Sequence, residues 1–468
     1  MAGGIIQLVA TGSQDTYITG NPDFTYFAMV FKRHTNFAME SIQLAFDTKP
    51  TLGTSAGTFT CTIGRYADLM KEVYLTFTLP DIYSDDVVQF QWIKNVANYM
   101  IDSYTINVDQ QAIDTQYGEW MDIWNELTLP PAKRDTYNRM MGNVEEFVAP
   151  KALDDIAIIK SNWLTYSYYP NADPSTPSVP GRRFYLPLNF WFCKTPALAF
   201  PLVALQYNVV TINITFNPMH ELYQVFDRTL GLYVSPAYFQ SRHANVPNDP
   251  LAGQDVSIGR FMSPNQVGAP AVSYDLQAYL EVNYIYLDTP EQFAVASQPQ
   301  DFLIERLDQY EPGEFMGTAN ISLPLHNPVK EMVWITRRAD IGLYNDWCNF
   351  TNSVPEDRTK PILASGHLMF NGVDRFADKP ADFFNLLQPF QYHTASPRQG
   401  IYCYSFALFP EKPTPSGSAN MSMINDVTLS LTFNAPLAAY KFEVVIYSVS
   451  INIFRVMAGT GSVVFAPQ

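Results

Sequence analysis

The six histidines are the first residues to consider, because imidazole is the commonest metal ligand and general base in proteins. They stand far apart in the sequence, and no two of them form the His-Glu-x-x-His pair that holds a catalytic zinc ion. This spacing predicts surface or core-edge positions rather than a metal site. The six residues are His34, His220, His243, His326, His367 and His393.

Adjacent carboxylates occur at three places, and two carboxylates at a suitable separation could hydrolyse glycosides. Each pair lies in a polar stretch, where neighbouring carboxylates are usually solvated. The sequence therefore favours solvated loops at Asp85-Asp86, Glu145-Glu146 and Asp154-Asp155.

The remaining motifs also point away from catalysis. The sequence has no phosphate-binding loop and no nucleophile elbow, and Gly459-Thr460-Gly461 follows a predicted strand without a helix after it, which predicts a turn. The cysteines are widely spaced and indicate neither a zinc site nor a dense disulfide framework, so a reducing place of folding is favoured. They are Cys61, Cys193, Cys348 and Cys403. We predict no enzyme, with no catalytic, cofactor-binding or metal-binding residue and no cofactor.

The elements that would position any site occur in the same order in both halves of the chain. Each half has a strand and tight turn, a short segment with Trp or Phe, an aromatic strand and an alternating strand. In the first half these are Tyr104–Asp109, Trp120–Trp124, Tyr185–Phe192 and Val210–Phe216. In the second half they are Leu368–Val373, Asp382–Leu386, Tyr402–Phe409 and Val427–Phe433. A repeat of this length indicates a duplicated domain rather than a solenoid.

Alternation of apolar and polar residues is the strongest local signal. In Val73–Leu79, Val210–Phe216 and Val427–Phe433 every second residue is apolar, which is typical of strands in antiparallel sandwiches. The best helix candidates, near Trp120–Leu127 and Ala381–Leu387, are short. This pattern excludes a parallel α/β architecture.

Two closing strands divide the chain into domains. Leu280–Leu287 reads as the last strand of the first domain, and Val444–Ile451 as its counterpart. We predict an N-terminal arm over 1–22, a first domain over 23–292, a linker over 293–302 and a second domain over 303–468. The long polar segments 140–180, 217–271 and 340–361 are expected to be surface loops.

Composition agrees with a strand-rich globular protein. Of 468 residues, 47% are hydrophobic and 14% aromatic, which suits half-buried pleated surfaces, and the 34 prolines suit turns. The N-terminus lacks the features of a signal peptide, and the longest apolar stretch, Ala197–Leu205, is interrupted by Pro201 and too short to span a bilayer. We therefore expect a soluble protein with no transmembrane segment.

Several blocks resemble the major capsid proteins of nucleocytoplasmic large DNA viruses. The most specific similarity is N-terminal, in Gly3–Ala10, Gln14-Asp15, Tyr17–Pro22 and Arg33–Glu40. Further similar blocks follow in the family's order along nearly the whole chain. They are Tyr185–Leu188, Phe190–Phe192, Ala204–Tyr207, Tyr286–Glu291, Tyr404–Leu408, Pro415–Gly417 and Phe454–Gly459. Segment 217–271 is longer than is usual in the family, and Ser462 stands where a glycine is typical.

The resemblance implies an all-β fold: a double jelly roll, with two side-by-side eight-stranded antiparallel jelly rolls and long surface loops. It further implies a virion structural protein that forms a homotrimer of pseudo-hexagonal outline, and neighbouring trimers that tile an icosahedral capsid. The implied partners are therefore copies of itself and minor capsid proteins on the inner face of the shell. Synthesis and assembly are expected in the host cytoplasm. The alternative from another class is a β-sandwich carbohydrate-binding protein or glycosidase.

The charge of the chain leads to a first prediction. The formal net charge is -16, and the basic clusters Lys32-Arg33-His34, Arg182-Arg183 and Arg337-Arg338 are short, so few counterions could be released from DNA. We expect no binding to duplex DNA at physiological salt and micromolar protein in a fluorescence-anisotropy titration. Micromolar binding that weakens steeply as salt rises would contradict this expectation.

Overall fold

The computed structural model describes residues 3–22, 26, 33–84, 88–148, 177–244, 246, 249–263, 273–353, 360–436 and 440–465. The chain divides into two compact units, Met1–Ala38 and Met39–Gln468. The first unit contains two short helices, α1 (Gly3–Val9) and α2 (Ser13–Thr19). At the start of α2 the Gly12 amide donates a hydrogen bond to Asp15 Oδ2 at 2.8 Å, which satisfies a backbone group at the helix terminus.

The first half of the chain forms a sandwich of two four-stranded sheets. The strand orders are β1-β13-β4-β8 and β3-β9-β6-β7. The second sheet is antiparallel throughout, as are the β13-β4 and β4-β8 pairs of the first. The strands are β1 (Phe37–Ala45), β2 (Thr51–Leu52), β3 (Gly57–Thr62), β4 (Leu69–Leu79), β5 (Phe90–Trp92), β6 (Ile101–Val108), β7 (Gln111–Tyr117), β8 (Arg182–Pro187), β9 (Val210–Phe216), β10 (Tyr223–Asp227), β11 (Leu232–Val234), β12 (Tyr274–Asp275) and β13 (Tyr279–Leu287).

The second half forms a sandwich of the same order. Its sheets run β14-β22-β16-β19 and β15-β21-β17-β18, with antiparallel pairing throughout. The strands are β14 (Gln300–Phe315), β15 (Thr318–Ser322), β16 (Pro328–Arg338), β17 (Leu363–Phe370), β18 (Val373–Pro380), β19 (Ile401–Ser405), β20 (Ala419–Asn420), β21 (Val427–Phe433), β22 (Phe442–Met457) and β23 (Thr460–Val463). Each of the eight sheet strands of one sandwich thus has a counterpart in the other, which confirms the predicted duplication.

The alternation of apolar and polar residues determines which strand faces form the two cores. Along β9 the side chains of Val210, Ile212, Ile214 and Phe216 are buried, while the Thr and Asn residues between them lie on the other face. Strand β21 has the same burial pattern. Both strands have the bounds that the sequence predicts, because period-2 burial is the strongest local determinant of a half-buried strand. The larger apolar core fills the first sandwich and extends to Ile304, Phe454 and Val456 of the second, whose interior holds a further core.

Helices lie at the ends of the sandwiches and in the connections. In the larger unit they are α3 (Val96–Tyr99), α4 (Gly118–Thr128), α5 (Pro131–Met141), α6 (Glu145–Val148), α7 (Pro236–His243), α8 (Ile258–Phe261), α9 (Thr289–Ser297) and α10 (Gln388–Tyr392). A π-helical turn, Phe383–Leu387, leads directly into α10. The two short helices expected after the hairpins are therefore present, as α4 and as the segment from Phe383 to Tyr392.

Three connections differ from their expected form. Segment 340–361, expected to be a surface loop, buries Ile341, Cys348 and Phe350. Segment 217–271, expected to be a surface loop, contributes β10 and β11 to a small sheet with β5, and buries Val225, Val234 and Phe261 in the first core. Apolar residues dispersed among polar ones concealed that packing. Segment 293–302, expected to be a linker, is occupied by the end of α9 and the start of β14. Most of the expected loop 140–180 lies outside the described residues.

Candidate functional site at the contact between the two sandwiches

Helix α4 is one of the elements of the first sandwich that dock on the second, beside the segment in which Trp191 and Phe200 pack on Phe454. It follows β7 directly and begins at Gly118, where a Cβ atom would lie 2.1 Å from the Ile101 carbonyl oxygen and 2.2 Å from that of Asn98. Only glycine permits this close approach, because backbone atoms cannot move aside as a flexible side chain can. The approach fixes where the helix leaves the sheet.

An apolar stripe along α4 makes the contact. Trp120, Ile123, Trp124 and Leu127 recur at helical spacing and are at most 9% exposed. They pack on the outer face of the sheet β14-β22-β16-β19, and the Trp120 ring lies 5.0 Å from that of Tyr447. Burying each such side chain contributes about 1.5–3 kcal/mol. Their partners are Leu307, Val333, Ile335, Phe350, Ile401, Cys403, Val445, Tyr447 and Val449.

A buried ion pair lies at the N-terminal end of this stripe. Arg337 donates to Glu119 at 2.8 Å and to Glu443 at 2.9 Å, and the Tyr447 hydroxyl donates to Glu119 at 2.8 Å. Burial raises the pKa of Glu119, although Arg337 opposes that shift. Burial alone would lower the pKa of Arg337, but Glu119 and Glu443 outweigh it and raise that pKa. Helix α4 is thereby oriented on strands β16 and β22.

A second ion pair joins the middle of α4 to the second sandwich. The Arg398 guanidinium donates to both carboxylate oxygens of Asp122, which also accept from Asn95 at 2.8 Å and from the Tyr99 hydroxyl at 2.9 Å. Burial opposes the charge on Arg398, but Asp122 outweighs it and raises the Arg398 pKa well above its usual value. Both charges are thus compensated inside the interface, which is the condition for tolerating them there.

Two further charged clusters lie beside the contact. Glu305 on β14 accepts from Lys330 of its own sandwich and from Lys194 of the first sandwich, and these two ammonium groups lower its pKa despite burial, which by itself would raise it. The fully buried His393 ring lies 3.2 Å from Glu331 and 3.3 Å from Glu411. Burial would lower the His393 pKa, but Glu331 outweighs it and raises the pKa to about 12. Ionic contacts therefore surround the apolar stripe.

The structure places the candidate residues of the sequence analysis in different surroundings. The side chains of His393 and His243 are buried against carboxylates rather than at the surface, and no described histidine lies within a group of His, Cys, Asp or Glu side chains that could hold a metal ion. Arg337, from one of the short basic clusters, is salt-bridged to Glu119 inside the interface. Glu145 and Glu146 lie in α6, whereas Lys32 and the pairs Asp85-Asp86 and Asp154-Asp155 lie outside the described residues. None of the four cysteines is in a disulfide bond.

The interface residues themselves were not predicted. Asp122 and Arg398 are 276 positions apart, and nothing in a single sequence links them. The available signal was the stripe Trp120, Ile123, Trp124 and Leu127, since such large apolar residues at helical spacing require a covering surface. Among the described residues, no helix is long and apolar enough to cross a membrane.

Two sandwiches of jelly-roll strand order, locked side by side in one chain by α4, define the double jelly-roll class of capsid proteins. Two family models match the chain: "Major capsid protein N-terminus" over residues 25–288 and "Large eukaryotic DNA virus major capsid protein" over 291–462. The chain belongs to this family of viral major capsid proteins. The family is structural and no enzymatic role is indicated, so the glycosidase alternative is not favoured.

Relatives and solved structures agree with this assignment. The chain is 31% identical to the major capsid protein of Phaeocystis pouchetii virus and 31% identical to that of Pyramimonas orientalis virus, with 100% of each chain covered. The PBCV-1 capsid protein VP54 has a similar fold, with a TM-score of 0.68 at 24% identity, and the match covers 95% of this chain and 100% of that one. The predicted fold class, family and capsid function are thereby confirmed.

The buried ion pair on α4 gives a stability prediction. Arg398→Met leaves Asp122 buried without its cation, so we expect the free energy of unfolding to fall by about 3–5 kcal/mol in urea denaturation at pH 7. Arg455→Met is the matched control, because Arg455 pairs with Asp301 at a surface where both side chains are nearly half exposed, and we expect a loss of at most about 1 kcal/mol. Equal losses in the two variants would contradict the role given to Arg398.

Proposed function

We propose that this chain is the repeating subunit of an icosahedral virion shell and assembles as a homotrimer. The observation that carries the proposal is the pair of sandwiches with one strand order, held side by side by α4. Three copies around a threefold axis place six similar sandwiches in a ring, and a near-hexagonal tile of this kind packs edge to edge in a closed shell. Function then consists of burying surface within the trimer and, more weakly, between trimers.

The proposed setting includes further partners. Neighbouring trimers meet at the edges of the tile, and minor capsid proteins lie on the inner face of the shell, between it and the genome. The formal net charge of -16 supports an arrangement in which the subunit does not touch nucleic acid directly. Synthesis and assembly are proposed to take place in the host cytoplasm.

The N-terminal arm, residues 1–22, is proposed to carry part of the inner-face contact. Helix α1 has four large apolar residues, Ile5, Ile6, Leu8 and Val9, and no residue of α1 or α2 is buried. An apolar segment of this kind needs a surface to lie on. We assign that surface to accessory proteins or neighbouring subunits; the competing possibility is the underside of the arm's own domain.

Trimer formation predicts a mass. We expect light scattering coupled to size-exclusion chromatography to give about 159 kDa at micromolar concentration and moderate salt, three times the 52.9 kDa of one chain. Monomer alone under these conditions would count against the proposal.

Deletion of the arm separates its two possible roles. Removing Met1–Asn21 takes away no sheet strand, so we expect the trimer to keep its melting temperature while its incorporation into particles falls. Full-length protein in the same assembly reaction is the control. A large loss of thermal stability would instead place the arm beneath its own domain, and normal incorporation would eliminate its role in assembly.

A further inference from the structure

The helical segment after β18 carries an exposed apolar face. Its residues Leu386, Leu387 and Phe390 are 54%, 44% and 81% exposed, and Phe383 beside them is half-buried. Together they line an open groove with Lys379 and Asp382 at its rim. A contiguous face of large apolar side chains on an otherwise ordinary surface indicates a contact site.

The same face exists in the first sandwich, where it is covered. Helix α4 follows β7 as this segment follows β18, and strands β7 and β18 hold the same place in their sheets. Moreover, Met121 of α4 and Phe384 of the later segment each enter the core of their own sandwich. The outward residues share one spacing, because Trp120, Ile123, Trp124 and Leu127 correspond position by position to Phe383, Leu386, Leu387 and Phe390.

The surface that covers the α4 stripe also has a counterpart. Strands β4 and β16 are both 11 residues long, and each has Lys-Glu at its third and fourth positions. In the second sandwich Ile335 pairs across the sheet with Ile401 on one side and Val445 on the other. At the same positions of the first sandwich Thr76 pairs with Tyr185 and Tyr279.

The two covering surfaces differ in residue type, and this difference matches the difference in their exposure to solvent. The sheet under α4 presents Ile335, Ile401 and Val445, which are at most 2% exposed. The counterpart surface presents Tyr185, which is 42% exposed, with Tyr74 and Tyr279 half-buried. Tyrosine carries a large apolar ring with a polar tip, so it tolerates water in a free subunit and still supplies contact area in a complex.

We propose that the apolar face Phe383, Leu386, Leu387 and Phe390 docks on the outer face of β4, β8 and β13 in a second copy of this chain. The contact repeats between copies what α4 makes within one copy. A contact that joins two different surfaces head to tail closes into a ring when the rotation between copies permits, and this inference rests on the proposed trimer for that closure and for the number of copies.

The direct test replaces the most exposed residues of the face. We expect the double variant Leu386→Asp, Phe390→Asp to fold, because neither side chain is buried, and to elute as a monomer of about 53 kDa where the unaltered protein is a trimer. Burying two carboxylates in each contact should weaken it roughly 30-fold or more. The readouts are light scattering and the melting curve.

Two controls, a matched variant and the unaltered chain, distinguish failure of the docking face from failure of the trimer. Met423→Asp places one carboxylate at an apolar side chain that is 78% exposed and outside the face, and we expect it to stay trimeric. If the double variant remains trimeric, or if Met423→Asp dissociates equally, the docking face is refuted while the trimer stands. If the unaltered chain is itself monomeric, the proposed function fails instead.

Chemical cross-linking tests the opposite side of the contact. Within one chain Glu119 reaches Arg337, and the corresponding positions are Asp382 and Thr78. With a short bismaleimide, we expect Asp382→Cys, Thr78→Cys to yield covalent trimers, and a co-assembled mixture of the two single variants to yield covalent dimers at most. Reaction of each single variant with a monofunctional maleimide checks that the thiols are accessible. Trimers in which accessible thiols give no cross-link would overturn the assigned partner surface.

Discussion

The docking of α4 is the constraint on which the arrangement of this molecule depends. The core of the first sandwich also takes in Ile304, Phe454 and Val456 from strands of the second, so the two sandwiches share apolar packing besides the α4 contact. What adds a defined orientation to this contact is a third cluster, built from one helix and the outer face of one sheet, together with the Asp122–Arg398 and Glu119–Arg337 ion pairs. The apolar stripe stabilises the contact without fixing the orientation of α4 on the sheet. The paired charges fix that orientation, because an unpaired charge in the interface is costly.

The different roles of the apolar residues and the ion pairs explain why charged residues lie in an apolar contact. A sheet face of Val, Ile and Tyr would accept a Trp-bearing helix in several registers. Glu119 and Asp122 lie one turn apart on α4, so both can meet their arginines only in one register of the helix. In the proposed shell, where the edges of each subunit match those of its neighbours, an error in the angle between the sandwiches would be repeated at every contact.

Much of the fold could be predicted because local sequence patterns determine its strands and helices. Strict alternation defines β9 and β21 to the residue, and the Trp-bearing segment after β7 predicts α4. Helix α5 was missed because Met141 is its only buried residue, so it shows no apolar stripe. Helix α9 was missed despite a usable signal, since Asp288 caps it and Pro290 follows at the start of the helix. The ion pairs of the interface depend on residues hundreds of positions apart, which one sequence cannot reveal.

The duplication within one chain has a consequence for how a ring could assemble. A ring of six separate sandwiches would require six molecules to meet, and its yield would depend on the sixth power of their concentration. In the proposed trimer, three of the six contacts are the α4 contacts inside each chain, which form during folding at any dilution because both partners are covalently joined. Association then depends on the third power of concentration only. Because the two sandwiches are joined in one polypeptide, half of the contacts in the ring form when each chain folds rather than when the subunits associate.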